Sequence, residues 1–187
     1  MKKEIKIAPL IYPMPVIMLA TFNSDGTVNV MNAAWGAAVD ADMIAVCLSE
    51  HQTTENFKRN GDVVIQMATS KHIAEADYFG LVSAKRVKDK FAKTSLHYHK
   101  AEKVDAPIIE EFPLALECKF IYSDPESGMH YFKILKASAE EDILNDKGVI
   151  DLNKADAVLF SGSDGKYYKV GEEAAKAFNI GTKFIKK

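Results

Sequence analysis

Arginine is scarce in this sequence: of its 24 basic residues, only Arg59 and Arg86 are arginine and the other 22 are lysine. The basic residues are balanced by 26 acidic ones, which leaves a net charge of −2. Proteins that bind nucleic acid usually have a basic excess or a basic stripe, so the composition argues against that class of partner. Arginine binds phosphate through two parallel hydrogen bonds from its planar guanidinium, whereas lysine acts as a point charge. Any phosphate site here is therefore expected to use backbone amides, hydroxyls and lysine.

Cysteine and long apolar runs are also scarce. The two cysteines, Cys47 and Cys118, lack the paired spacing of a metal or redox motif, and both lie in apolar stretches that predict buried, unreactive thiols. No stretch of about 20 apolar residues could cross a bilayer. The apolar segment near the N-terminus is interrupted by Glu4, Lys6 and prolines, unlike a secretory signal. We therefore expect a cytoplasmic protein that does not associate with membranes.

The chain is 187 residues long, and 48% of its residues are hydrophobic. Chains of roughly 100–200 residues form one domain and can bury a core of their own. The composition excludes a disordered chain and a small disulfide-stapled fold. Residues 1–187 are therefore interpreted as a single domain.

The apolar residues fall mostly into short runs separated by turn residues. Gly26, for example, can supply the positive φ of a hairpin turn between the first two runs. Paired strands of this kind favour an antiparallel barrel with inserted helices over a doubly wound sheet. The predicted strands cover residues 16–22, 28–30, 43–48, 62–68, 114–122, 130–139, 156–160 and 167–170. One predicted helix runs from a cap at Ser49 or Thr53 to about Asn60, and two others cover 72–81 and 173–178. A long polar loop is predicted over 82–104.

Several common motifs are absent. The sequence contains no GxGxxG, Walker A, GxSxG or HExxH pattern. His97 and His99 could lie on one face of a strand, but no further ligand is spaced near them, so no metal site is predicted.

Two segments carry residues suited to binding a ligand. Between Asn29 and Trp35, small residues stand beside two amides, so backbone could approach a flat ligand closely; Trp35 taken alone could equally be a core anchor. The segment from Ser49 to Asn56 lies where a strand gives way to a helix. Free amides at a helix N-terminus favour an anion, although this segment alone could also be a plain helix cap.

Taken in order, these segments resemble the flavin reductase-like family, also called the FMN-binding split barrel, and its flavoredoxin branch in particular. Later segments resemble the same family, and the resemblance covers residues 10–171. These segments are Phe79-Gly80-x-x-Ser83, Asp89-Lys90-Phe91, Ala106-Pro107-Ile108, Leu116-Glu117-Cys118 and His130 at the start of a strand.

The resemblance implies a mainly β, antiparallel split β-barrel that forms a homodimer with FMN at its interface. It implies an FMN-dependent oxidoreductase of the flavin reductase or flavoredoxin type. Such a protein passes electrons from NADH or NADPH through bound FMN to a small-molecule or protein acceptor. One alternative is an FMN-binding electron carrier without NAD(P)H activity of its own, and another is a barrel that has lost its flavin and serves as an interaction module.

The resemblance also implies roles for individual residues, some of which could serve the partner's cofactor. Lys90 and His130 are the candidates for tuning the flavin, and no residue is identified as a general base. Asn29, Asn32, Ala33, Ala34 and Trp35 would line the isoalloxazine and ribityl region; Ser49, His51, Thr53, Thr54 and Asn56 would hold the phosphate; Ser83 and Lys90 would approach the cofactor; and His130 and Phe160 would close the pocket near the ring.

Overall fold

The computed structural model describes residues 1–8, 11 and 13–185. Its elements, in chain order, are β1 (Met14–Pro15), β2 (Ile17–Phe22), β3 (Val28–Ala33), β4 (Gly36–Asp40), β5 (Met43–Cys47), α1 (Gln52–Asn60), β6 (Asp62–Met67), α2 (Ile73–Leu81), β7 (Tyr98–Lys100), β8 (Pro107–Ile109), β9 (Leu114–Asp124), β10 (Met129–Ala139), β11 (Val158–Ser161) and β12 (Lys166–Lys169). Short 3-10 helices span Phe91–Lys93, Glu141–Ile143 and Ile180–Phe184.

The main sheet has seven strands in the order β3-β2-β6-β9-β10-β5-β4, and all neighbouring strands are antiparallel. It curls so far that β4, at one edge, packs against β2 near the other edge. A Cβ added to Gly36 would overlap the side chain of Ile17, so glycine permits this approach. The mainly β, antiparallel split barrel expected from the sequence is confirmed.

The curled sheet buries apolar residues on both faces. On the inner face, Phe57 of α1 packs edge-on against Phe132, with ring centroids 5.1 Å apart. On the outer face, Phe79 of α2 stacks on Phe91 at 6.1 Å. Strand β2 lies between the two cores, which explains why its sequence is apolar apart from Thr21 instead of alternating with polar residues.

Helix α1 begins one turn after β5 and ends at a glycine. The backbone N–H of His51, the N-cap residue, donates to Thr54 Oγ1 at 2.7 Å. Gly61 takes a φ of 79° and its N–H donates to Phe57 O at 2.8 Å. The predicted end of the helix is confirmed, but the cap predicted at Ser49 or Thr53 is wrong, because Thr53 already lies inside the helix.

Two other predictions need correction. The helix predicted over 173–178 is absent, and a 3-10 helix forms at Ile180–Phe184 instead. This tail is exposed, so an apolar side chain such as Phe178 has no surface against which a helix could pack. Strand β4 was not predicted.

Of the two thiols, Cys118 is buried as predicted, with burial raising its pKa to about 12, whereas Cys47 is partly exposed. No helix in the described part of the chain is long and apolar enough to cross a bilayer.

Candidate functional site

A pocket of about 160 Å³ opens between strand β3, the start of α1 and the end of α2; we call it the Lys90 pocket. It brings together six of the predicted site residues: Asn29, Asn32, His51, Thr53, Ser83 and Lys90. It is also lined by Met31, Gln52, Phe79, Gly80, Leu81, Val82 and Ala84, which sequence reasoning did not select.

The start of α1 presents backbone donors to this pocket. The first helical hydrogen bond runs from Glu55 N to His51 O at 3.1 Å. The backbone N–H groups of Gln52 and Thr53 come before this bond in the chain. They therefore have no carbonyl acceptor within the helix. These free donors and the positive end of the helix dipole favour an anion.

Thr53 is fixed in place by a buried amide. Asn29 Nδ2 donates to Thr53 Oγ1 at 2.7 Å, and both residues are almost fully buried. Asn29 thereby joins β3 to α1. Because the oxygen of Thr53 accepts from Asn29, the hydroxyl proton remains free to be donated to a ligand.

Asn32 and Gly80 set the distance between β3 and α2. Asn32 Nδ2 donates to Ala76 O at 2.9 Å. A Cβ on Gly80 would lie 3.4 Å from Asn32 Cβ, an ordinary van der Waals contact, so β3 and α2 run close together at this point. Ser83 follows α2, and its Oγ accepts a hydrogen bond from Lys85 N at 3.2 Å. These contacts hold the end of α2 at the rim of the pocket.

Lys90 is a buried cation, only 3% exposed. Its Nζ donates to Phe79 O at 3.1 Å and to Val82 O at 2.7 Å, at the C-terminal end of α2. An ammonium has three N–H donors, so one is left over. Within residues 1–8, 11 and 13–185, no carboxylate pairs with it, and burial lowers its pKa to about 8.

Three of the predicted phosphate ligands do not line the Lys90 pocket. Thr54 Oγ1 accepts from His51 N and so caps the helix. Asn56 Nδ2 donates to Thr21 Oγ1 at 3.0 Å and to Asn23 Oδ1 at 2.9 Å, which ties α1 to the β2–β3 hairpin. Ser49 is exposed beside the pocket, with its Oγ 3.0 Å from His51 Nε2. In the described chain, the side chains of Thr54 and Asn56 are therefore bonded to other groups of the chain itself.

The predicted ring-binding residues Ala33, Ala34 and Trp35 lie at the end of β3 and in its connection to β4, outside the Lys90 pocket. Trp35 is 54% exposed, so it does not anchor the core. Nearby, the open end of the barrel forms an apolar groove of about 180 Å³. The groove is lined by Pro15, Ile17, Gly36, Ala37, Ala38, Ile44, Ile65, Gln66, Met67, Leu114 and Leu116.

His130 and Phe160 also lie away from the Lys90 pocket of their own chain. His130 is buried on β10, with Nδ1 2.7 Å from Ser123 Oγ and Nε2 3.2 Å from Leu48 O, and burial lowers its pKa. Phe160 on β11 packs against Tyr167 with ring centroids 5.8 Å apart.

Three missed lining residues had a visible signal. Phe79 and Gly80 belong to the Phe79-Gly80-x-x-Ser83 segment, and Gln52 directly follows His51 at the predicted helix start. Leu81 and Val82 gave no signal, because they line the pocket only through the way α2 ends.

The sequence profile described as "Flavin reductase like domain" matches residues 10–145. Among solved structures, flavoredoxin of Desulfovibrio vulgaris (Miyazaki F) is 35% identical; the alignment covers 97% of this chain and 100% of that one, with a TM-score of 0.92. Flavoredoxin from Methanosarcina acetivorans is 30% identical, with 98% and 100% covered and a TM-score of 0.84.

A more distant structure has the same fold. An FMN-binding protein from Thermus thermophilus is 19% identical, with 94% of this chain and 99% of that one covered and a TM-score of 0.77. A comparison with curated proteins finds no match. The profile spans well over half of the chain, and the flavoredoxin structures follow nearly all of it. The chain therefore belongs to the flavin reductase-like family.

Proposed function

We propose that this protein binds FMN with the phosphate in the Lys90 pocket. The observation that carries the proposal is the pairing of two unsatisfied positive features in one small pocket. One is the Lys90 ammonium, which is buried and has no carboxylate partner among the described residues. The other is the set of free N–H groups that begin α1. A buried charge is unfavourable unless it is paired, so the pocket is suited to an anion.

The donors around the pocket fit a phosphate group. Backbone N–H groups, the Thr53 hydroxyl and the third N–H of Lys90 are all donors, and phosphate oxygens accept. No arginine lines the pocket within the described residues, in agreement with the expectation from composition. At about 160 Å³ the pocket is smaller than the usual 300–1,000 Å³ of a complete ligand site. It therefore suits the phosphate end, and the flavin ring would extend outside it.

A second copy of the chain is proposed to complete the site for the ring. Trp35 is exposed and the apolar groove at the barrel's open end is uncovered, which is typical of a surface that meets a partner. His130 and Phe160 lie outside the Lys90 pocket of their own chain. In a homodimer they are candidates to contact the cofactor held by the partner.

The proposed activity is electron transfer from NADH or NADPH, through FMN, to a small-molecule or protein acceptor. FMN supplies the redox chemistry when bound, and the protein supplies binding, orientation and electrostatics. Lys90 holds positive charge at the cofactor site, and the contacts of Asn29 and Asn32 keep α1 and α2 in place around it. The alternative is an FMN-binding electron carrier that does not react with NAD(P)H.

Anaerobic spectroscopy separates these functions. The purified protein, supplied with FMN and desalted, is expected to retain flavin absorbance, which bleaches when NADH or NADPH is added. Retained absorbance without bleaching would favour the electron carrier. A colourless protein that ignores added FMN would contradict both.

A matched pair of lysine variants tests the assigned pocket. Lys90→Met is expected to weaken FMN binding at least tenfold, since a hydrogen bond to a charged group contributes about 1.5–3 kcal/mol. Lys93→Met, an exposed lysine on the 3-10 helix that begins beside Lys90, is the control and is expected to bind FMN normally. Equal affinities for the two variants would place the phosphate elsewhere.

A further inference from the structure

Residues 171–185, which follow the last strand, lie on the outside of the molecule; we call them the tail segment. Every residue of this segment is exposed. Its large apolar side chains are included, since Phe178 is fully exposed and Phe184 is 82% exposed. Ile180 and Ile185 are exposed as well. Single apolar side chains on a surface are ordinary, but four in one short segment indicate a surface that another molecule covers.

The backbone at Phe178 supports the same interpretation. Its φ is 57°, in the left-handed region that bulky residues rarely adopt. The turn around it is closed by one hydrogen bond, in which Ile180 N donates to Lys176 O at 3.3 Å. Strained backbone persists where surrounding contacts hold it in place. The conformation of Phe178 therefore fits a chain that is packed against a partner.

The end of the tail segment is formed by its own hydrogen bonds. Thr182 donates to Asn179 O twice, from its backbone N at 2.9 Å and from Oγ1 at 2.7 Å, and Ile185 N donates to Thr182 O at 3.0 Å. These bonds belong to the 3-10 helix Ile180–Phe184. A segment that is already ordered loses less conformational entropy when it docks.

The apolar groove at the open end of the barrel is an uncovered surface of suitable size and chemistry. In the described part of the chain, no charged residue lines it. Its volume of about 180 Å³ is below the usual 300–1,000 Å³ of a complete ligand site, so it suits one or two side chains. Trp35 and Val39 flank the groove residues of β4 in the chain, and both are exposed.

The charges of the tail segment and of the groove's surroundings are complementary. The acidic residues of the tail segment, Glu172 and Glu173, lie at its start, whereas residues 174–187 contain four lysines and no acidic residue. On the groove side, Asp40 ends β4, and Glu140 follows β10, whose last residue pairs with the first residue of β9 in the groove wall. Neither carboxylate has an ion pair with a described residue. Opposite charges of this kind favour docking and set its orientation.

The tail of a second copy is the occupant that satisfies both surfaces. The tail segment leaves β12, which is joined through β11 to β1, and Pro15 of β1 lines the groove. Residues 170–178 could extend over about 30 Å, so length does not keep the tail from a groove. Within one chain, however, the tail stays in solvent and the groove stays open. Exchange between two copies related by a two-fold axis would cover both grooves with both tails.

We propose that the tail segment docks in the apolar groove of a second copy, with Phe178 against the groove lining and the tail lysines beside Asp40 and Glu140. The inference rests on the proposed homodimer and does not depend on FMN binding.

Sedimentation velocity over a dilution series tests the contribution of the tail. Phe178→Ser/Phe184→Ser removes two side chains that the single chain leaves in solvent, so the fold is expected to be unaffected. The dissociation constant of the dimer is expected to rise at least tenfold. Ile5→Ser/Val149→Ser, which removes two exposed apolar side chains from other segments, is the control and should dimerise as the parent does.

Mixed cross-linking tests where the tail docks. Ala38→Cys and Phe178→Cys are made separately in a Cys47→Ser background, which lacks the partly exposed native thiol. A tag on one of the two variants distinguishes the mixed product by its mass. After subunit exchange, a short bis-maleimide is expected to join them into a species of twice the 20.7 kDa chain mass. Val149→Cys in place of Ala38→Cys should give no such product.

The outcomes separate the tail from the dimer itself. A dimeric parent whose dissociation constant is unchanged in Phe178→Ser/Phe184→Ser would overturn the proposal and leave the homodimer standing. So would a mixed pair that fails to cross-link while Ala38→Cys/Phe178→Cys within one chain links at the monomer mass, because the tail would then occupy its own groove. A monomeric parent would overturn the proposed homodimer together with the tail exchange.

Discussion

Lys90 donates to two carbonyl oxygens beside an aromatic ring, but its burial disfavours the charged form of the side chain. Burial lowers its pKa to about 8 in the ligand-free chain, against 10.5 in water. An anion bound beside it would favour the charged form and raise the pKa again. Protonation of Lys90 and binding of the proposed phosphate are therefore coupled.

Affinity for FMN is accordingly expected to fall as the pH rises through about 8. Below that pH the free protein already carries the proton that the complex needs, and above it the proton must be taken up on binding. The expected loss approaches tenfold per pH unit, measured as the Kd from flavin fluorescence between pH 6.5 and 9.5. Lys90→Arg, which keeps its charge over this range, is the control and should give a flatter profile. A flat profile in the parent protein would contradict the coupling.

The candidate site could be predicted from the sequence only in part. Asn29 is a polar residue in a segment that otherwise reads as a buried strand, which is a visible signal. Thr53 stands at a predicted helix start, and Lys90 was selected only through the family resemblance, because its segment reads as a polar loop. Thr54 and Asn56 stand at the same helix start as Thr53, yet they serve the helix cap and the β2–β3 hairpin. Which side of a short helix faces a pocket depends on tertiary packing, and the sequence around Thr53 and Thr54 does not specify it.

Helix α1 has two neighbouring threonines with different tasks. Thr53 lines the Lys90 pocket, and Thr54 caps the helix through its contact with His51 N. Both side chains are almost fully buried, so their solvent exposure does not distinguish the residue that lines the pocket from the residue that caps the helix.

The corresponding valine variants are expected to separate them. Thr53→Val removes a donor to the proposed phosphate and should weaken FMN binding about tenfold or more. Thr54→Val removes the cap contact and should lower the free energy of unfolding by about 1 kcal/mol with little change in FMN affinity. Urea unfolding and FMN titration of both variants measure the two effects. If Thr54→Val weakened FMN binding as much as Thr53→Val, the assignment of roles would be wrong.

Strand β4 can approach β2 closely because residue 36 is a glycine, which has no side chain. Gly36→Ala is expected to lower the free energy of unfolding by about 1 kcal/mol, because the new methyl group overlaps the buried Ile17 side chain. The effect falls at the low end of overpacking since the overlapped atom is a terminal methyl. Gly171→Ala, which adds its methyl to open space, is the control for denaturant unfolding. Equal stability of both variants would mean that the barrel edge adjusts freely.

Element prediction succeeded where local chemistry and packing agree. The β2–β3 and β9–β10 hairpins have turn residues between β-forming runs, and both were predicted. Strand β4 contains small residues of weak β-propensity, and it is a strand because β5 offers an edge to pair with. Residues 173–178 have helix-forming composition but no surface to pack against, so the local preference is not realised.

On the scale of the whole molecule, the proposed homodimer makes a prediction of its own. Ala38 is exposed in the apolar groove, so Ala38→Asp would place a charge in the proposed interface without disturbing the core. Sedimentation velocity is expected to give twice the 20.7 kDa chain mass for the parent and the monomer mass for Ala38→Asp. Val149→Asp, at another exposed apolar position, should remain dimeric. A monomeric parent protein would contradict the dimer.

The order of strands in the main sheet also has a consequence for how the chain folds. The hairpins β2–β3 and β9–β10 pair residues that are close in sequence, whereas closing the barrel requires β5 to meet β10, where Leu48 and His130 are 82 residues apart. Loop-closure entropy delays such distant pairings. We therefore expect the hairpins to form early and the β5–β10 seam last. Amide hydrogens that bond between β5 and β10 are then expected to exchange with solvent faster than those within the two hairpins. Local opening of the barrel would begin at the strand pair that formed last.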